Sequence, residues 1–138
     1  MFAANARTQA APDAQTVEAE VRLAFDRYEQ ALVSNDIATL NELFWNDPRT
    51  IRFGVQESLY GYDAITAFRA ARPARDLARV LERVTITALS PDCAVAFAEY
   101  RRTGSGRRGK QSQTWVRRAE GWRIAGAHVS LEPATGPA

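Results

Sequence analysis

The hydrophobic positions of the chain fall into two regimes. Over residues 16–34 they are Val17, Val21, Ala24, Phe25, Tyr28, Ala31 and Leu32, the three-and-four spacing of one helical stripe, with Thr16 as the expected cap. Asn35-Asp36 interrupts that period and caps a second, short helix over residues 37–45, whose apolar face is Ile37, Leu40, Leu43 and Phe44; the two helices should form a hairpin. Asp47-Pro48 ends helical structure, because proline drives the residue before it out of the α region. Residues 49–55 then alternate, with Ile51, Phe53 and Val55 on one side and Thr50, Arg52 and Gly54 on the other, as a short strand does. After Gly61 a third helix is predicted over residues 62–71, with Ile65 and Phe68 at helical spacing and a stop at Arg72-Pro73.

Beyond residue 78 the period shortens to two. Runs over residues 79–90, 93–103, 110–119 and 122–131 are separated by Ser-Pro-Asp, Gly-Ser-Gly-Arg-Arg-Gly and Glu-Gly, the punctuation of an antiparallel meander. Helices first and long strands second is an α+β order, in which the sheet buries its apolar side under the helices. The expected fold is a helix-wrapped, curved antiparallel sheet forming a cone-shaped pocket. Residues 16–132 contain no repeat or linker and read as one domain, residues 1–15 as a disordered leader and residues 133–138 as a flexible tail.

Composition narrows the classes. A chain of 138 residues, 46% hydrophobic and 25% charged, suits one soluble globular domain. Cys93 is alone, so no intrachain disulfide forms, and no apolar run is long enough for a signal peptide or a membrane span. A cytoplasmic protein without a membrane partner is expected. The net charge is only +2, but all but one of the 18 basic residues are arginine. Arginine grips a carboxylate or phosphate with a planar fork, where lysine is a mobile point charge. A GC-rich coding bias would enrich arginine in the same way. The basic turn Gly104 to Gly109 has no accompanying aromatic platform, so no nucleic-acid partner is expected.

Candidate chemistry comes from a few positions. In the last strand, Trp122, Ile124, Gly126, His128 and Ser130 should share one face, which puts the only histidine in line with core residues, either as a satisfied core side chain or as a proton donor or acceptor. Tyr28 lies on the apolar stripe of the first helix, so its ring should be buried and its hydroxyl must find a partner, structural or in a cavity. Arg52 points to the opposite side from Ile51 and Phe53 and needs an anion: Glu57, Glu99 or a ligand's carboxylate. Arg69 and Arg72 share a helical face, at least one of them expected on the solvated surface. Gln113 beside Trp115 either lines a pocket, where it would bind a carbonyl or urea-type group, or sits on an exposed dimer face. With one histidine and one cysteine no zinc-type spacing exists, and no dinucleotide or nucleotide motif is present, so neither metal nor cofactor is expected.

Phe25-Asp-Arg-Tyr28, Leu40-Asn-Glu-Leu-Phe-Trp45, Thr50-Ile-Arg-Phe-Gly54, Gly61-Tyr-Asp-Ala-Ile65, Phe68-Arg-Ala-Ala-Arg72, Gln111-Ser-Gln-Thr-Trp-Val116 and Gly121-Trp-Arg-Ile124 through His128-Val-Ser130 together resemble the AtzH and HpxZ group of the nuclear-transport-factor-like (SnoaL-like, cystatin-like α+β) superfamily, over about residues 20–132. The resemblance implies a cone-shaped pocket, usually in a homodimer joined through the sheets; a sheet covered by helices on one face also leaves its other face to a partner, with Trp115 or its strand neighbours expected near that contact. It further implies a small anionic substrate. AtzH-like members convert 1,3-dicarboxyurea to allophanate in cyanuric acid breakdown; HpxZ-like members accompany oxalurate and purine breakdown, which leaves a non-catalytic accessory of an amidase as the alternative. The functional pair of the AtzH-like pattern, a tyrosine on the first helix and an arginine on the following strand, matches Tyr28 and Arg52. His128 is a third catalytic candidate, with Arg69, Arg72, Gln113 and Ser130 as substrate-binding ones. The basic leader and the arginine-rich turn depart from the pattern without touching these positions.

Overall fold

The computed structural model describes residues 11–133. Asp13, not Thr16, caps the first helix, α1 (Ala14–Val33): its carboxylate accepts the Thr16 N–H at 2.8 Å. The helix therefore begins inside the stretch expected to be a leader. Residues 1–10 of that stretch, and residues 134–138 of the expected tail, lie outside the described residues. Asp36 caps α2 (Ile37–Leu43) as expected, accepting from the Thr39 N–H at 3.2 Å and its hydroxyl at 2.7 Å. The helix stops two residues early because Phe44 turns extended and bridges Ile124, while the Trp45 N–H donates to the Ile124 carbonyl at 2.9 Å. A two-pronged contact from Arg27 to Glu42, at 2.8 and 3.2 Å, ties the hairpin together.

The first strand, β1 (Ile51–Phe53), is shorter than predicted, and a second three-residue strand, β2 (Ser58–Tyr60), follows it. Three residues are too few to show a period, which is why β2 is invisible in the sequence. Helix α3 spans Tyr62–Ala71. The four long strands are β3 (Arg79–Ser90), β4 (Cys93–Arg102), β5 (Arg108–Arg118) and β6 (Gly121–Leu131). They form one sheet of order β2-β1-β6-β5-β4-β3. The sheet is not wholly antiparallel: β1 runs parallel to β6. A parallel pair needs a long crossover, and here α3 and the meander supply it.

One face of the sheet carries Leu81, Val84, Ile86, Ala94, Ala96, Ala98, Trp115, Trp122 and Ile124, and packs on Val17, Val21, Phe25, Tyr28 and Leu32 of α1. Three alanines on β4 let the helix lie close. Register shifts in β3 and between β5 and β6 place extra residues in the ladder, and such bulges bend a sheet. The bulge in β6 also reverses its alternation. Trp115 pairs with Ile124 but Thr114 pairs with Gly126, so Ala125 is an extra residue. Trp122 and Ile124 point inward before it, and Ala127 and Val129 after it. His128 and Ser130 therefore lie on the outer face opposite Ser112 and Lys110, not in line with Trp122 and Ile124 as strict alternation predicts. Trp115 is fully buried on the inner face, so of the residues expected near a contact through the outer face it is its strand neighbours, such as Ser112, that lie on that face.

Candidate functional site

Past Trp115 and Ile124 the inner face of the sheet turns polar, and a cavity of about 640 Å³ opens between it, the C-terminal half of α1 and the segment that follows α3. Each wall is set by a local rule. Tyr28 and Leu32 reach it from the buried stripe of α1. Arg52 faces inward because it pairs with Ala127, the inward residue of β6, in the parallel ladder. Gln111 and Gln113 occupy inward positions of β5, opposite Val129 and Ala127. Arg72 enters from the end of α3, where Pro73 forbids another turn.

The arginines differ in what they are paired with. Arg52 Nη1 donates to Glu57 Oε2 at 2.8 Å, and the guanidinium lies over the Phe68 ring. Glu57, from the loop between β1 and β2, is thus the internal partner; Glu99 lies on the outer face. The carboxylate folds over Gly54, where any Cβ would collide with it. Arg72 has no such partner: its Nε and Nη2 are buried without a hydrogen bond. Burial, then the like charge of Arg52, holds Arg72 below the ordinary arginine value. Arg69 is 3% exposed, donates to Asn41 Oδ1 at 2.9 Å and stacks on Phe44. Burial pushes it down to about 10, opposed by Tyr28 and aided by Arg52 and Arg72. Neither Arg69 nor Arg72 is the solvated surface residue expected of at least one of them. Arg69 lies behind the wall rather than on the cavity surface.

A second group went unnoticed in the sequence. Glu29 is buried, and Arg79 donates to both its oxygens and to Gln111 Oε1, the last at 2.9 Å, while lying 4.2 Å over the Tyr100 ring. Burial would lower Arg79, but the hydrogen bonds and charge of Glu29 outweigh it and hold the guanidinium above its ordinary value. The signal was legible: Val21, Phe25, Glu29 and Leu32 follow helical spacing, so a carboxylate occupies a stripe position and calls for a buried cation.

Tyr28 stands among these groups and its hydroxyl has no hydrogen-bond partner among the described residues. His128 borders the cavity but is exposed, its ring edge-on to Phe53 at 5.7 Å. His128 and Ser130 both line a separate groove of about 380 Å³ on the outer face, with Lys110 and Phe97. The structure thus brings together Tyr28, Arg52, Arg72 and Gln113, sets Arg69 behind them, and leaves Ser130 on the other side of the sheet. Among the described residues no group of three or more His, Cys, Asp or Glu gathers in a metal-ligating cluster.

The buried side-chain atoms without partners on the residues that line the cavity are all donors: Nε and Nη2 of Arg72 and the carboxamide nitrogens of Gln111 and Gln113. The carboxylates on its walls, Glu57 and Asp76, are already engaged by Arg52 and Arg102. Such a wall suits a ligand that only accepts hydrogen bonds and carries negative charge.

Comparison with known proteins agrees in fold and family. A protein of unknown function from the DUF3225 family of Pectobacterium atrosepticum is 53% identical over 86% of this chain and 92% of that one, with a TM-score of 0.83. A cystatin-like fold protein from Burkholderia xenovorans is 40% identical over 86% of this chain and 95% of that one, with a TM-score of 0.80. An NTF2-like protein of unknown function from Pseudomonas putida shares the fold at 20% identity, over 86% and 89% of the two chains, with a TM-score of 0.71. No curated protein matches. The pattern of the AtzH-like family matches residues 11–134, nearly the whole chain, and with the helix-covered sheet and its motifs in order the protein belongs to the AtzH-like family, on the NTF2-like, cystatin-like fold.

Proposed function

We propose that this protein is an enzyme acting on a small carboxylated urea, and that its reaction is the hydrolytic decarboxylation of 1,3-dicarboxyurea to allophanate. The observation that carries the reading is the Nε and Nη2 edge of Arg72, buried without a partner on a residue that lines the cavity, where the other buried unpartnered side-chain atoms are also donors. A guanidinium left without its anion costs several kcal/mol, and a substrate carboxylate on Nε and Nη2 would relieve that cost with a two-pronged contact.

The chemistry follows from the charge. An N-carboxylate leaves when its C–N bond breaks, the electron pair stays on nitrogen and the nitrogen takes a proton; the carbon departs as carbon dioxide. The Tyr28 hydroxyl is an O–H donor on the cavity wall and is assigned the proton transfer to that nitrogen, and water returns the proton afterwards. The overall balance is dicarboxyurea plus water to allophanate plus bicarbonate. An arginine on the reacting carboxylate would oppose its loss of charge, so Arg52 and Arg72 are assigned to the far carboxylate. The route asks for no metal. His128, exposed and outside this cluster, is given no part in it.

Pure protein is mixed with 1,3-dicarboxyurea, and allophanate and carbon dioxide are followed. Turnover lost in Tyr28→Phe supports the reading. Tight binding with no turnover at high protein concentration contradicts it and points instead to a non-catalytic binding protein, such as an accessory of an amidase.

A further inference from the structure

The orientation of two glutamine side chains is forced. An indole N–H and a guanidinium can only donate, so whatever faces them must accept. Trp115 Nε1 donates to Gln113 Oε1 at 3.1 Å, and Arg79 Nη2 donates to Gln111 Oε1 at 2.9 Å. Both carboxamides therefore turn their NH2 groups the other way, and both Nε2 atoms are buried with no partner. Gln113 is 1% exposed and Gln111 6%, and both lie on the cavity wall. They are two residues apart on β5, hence on one face about 7 Å apart along the strand. Each orienting donor is itself held. Trp115 is packed in the core under α1, and Arg79 is fixed by Glu29 and Tyr100.

Two buried donors without acceptors are costly unless a ligand completes them. The arginines already account for carboxylates, and a neutral NH2 suits a neutral acceptor. We infer that Gln111 and Gln113 form a carbonyl-oxygen subsite, so that the site selects a dianion with a carbonyl between its two carboxylates over one without it. This rests on the reading of the cavity as a site for a small dicarboxylate. Arg79, with Glu29 behind it, is then a positioning residue for Gln111, as Trp115 is for Gln113. The same subsite would stabilise the charge that spreads from the departing nitrogen onto the carbonyl oxygen as carbon dioxide leaves.

The probes are glutarate and 3-oxoglutarate, which differ only in the central carbonyl; the latter is 1,3-dicarboxyurea with methylenes in place of its two nitrogens. Both are titrated calorimetrically into the wild-type protein, Gln111→Met and Gln113→Met. The expected result is that wild type prefers 3-oxoglutarate by about tenfold, the worth of one or two net hydrogen bonds. Each variant should lose most of that preference and keep its affinity for glutarate, which also reports that it has folded. Gln111→Met keeps the test valid should Gln113→Met fail to fold, because it leaves the Trp115 contact intact. Equal wild-type affinities, or a preference that survives in the variants, overturn the subsite while leaving the dicarboxylate site standing. Binding of neither probe to wild type overturns both.

Discussion

Arg69 and Arg72 illustrate what burial does to a guanidinium that has no carboxylate. Arg69 is pushed down to about 10. The unfolded chain then holds that proton more tightly than the fold does, so stability should rise as pH increases from about 10 toward the ordinary arginine value, and Arg69→Met should lack that rise. At pH 7 the Arg69→Met protein is expected to be as stable as wild type or up to about 1–4 kcal/mol more stable, because replacing a buried charge by an apolar chain removes its desolvation cost. Denaturant unfolding at pH 7 and pH 10.5 checks both; a strongly destabilised variant would show that the Asn41 and Phe44 contacts outweigh the desolvation. Arg72→Met should raise KM for a dicarboxylated substrate by roughly 10- to 100-fold, the worth of a charged hydrogen-bonded contact. Tyr28→Phe should lower kcat by about 100-fold or more with KM little changed, as loss of a general acid does. Arg52→Met should cost stability, because it strands Glu57; Arg52→Lys keeps the charge and loses the fork, and steady-state kinetics should show reduced activity in a folded protein.

At the scale of elements, what the sequence made legible was what has a period or punctuation. Helix α3 came out at its observed bounds, since Gly61 opens it and Pro73 closes it. The four long strands appeared because each is several periods long. Strand β2 was missed for its brevity, and the end of α2 because a tertiary bridge to Ile124, not a local signal, stops it. The bulge at Ala125 is the instructive failure: one inserted residue moved His128 and Ser130 from the cavity side to the outer face. Tyr28 and Arg52 were legible because each stands out against its own element. The glutamine pair's polarity was not, since it depends on Trp115 and Arg79 meeting it in space. Gly109 ties two elements in a similar way. The Tyr100 ring lies across it and its hydroxyl donates to the Ser130 carbonyl at 3.1 Å, so a Cβ at position 109 would collide with both the ring and that carbonyl. Gly109→Ala should cost about 1–3 kcal/mol in thermal unfolding and, by shifting Tyr100 from under Arg79, weaken 3-oxoglutarate binding.

For the whole molecule, the two sides of the sheet divide the work. The inner face carries the core at one end and the cavity at the other. The outer face carries Phe97, 49% exposed, with His128, Ser130, Lys110 and Arg83 around a shallow groove. A half-exposed aromatic on the uncovered side of a sheet suits a second copy of the chain. A homodimer is expected by light scattering at micromolar concentration, and Phe97→Glu should shift it to monomer; a monomeric wild type would contradict this. That division also decides where an anion should go. The most direct measurement is side-chain NMR of 15N-labelled protein titrated with glutarate, observing arginine Nε–H groups and the carboxamides. The predicted result is saturable shifts at Arg72 and Arg52 that vanish in Arg72→Met, with Arg83 of the outer groove unmoved. Shifts confined to Arg83, or no saturable shift at Arg72, would contradict the assignment of the inner cavity as the site of a small dicarboxylate.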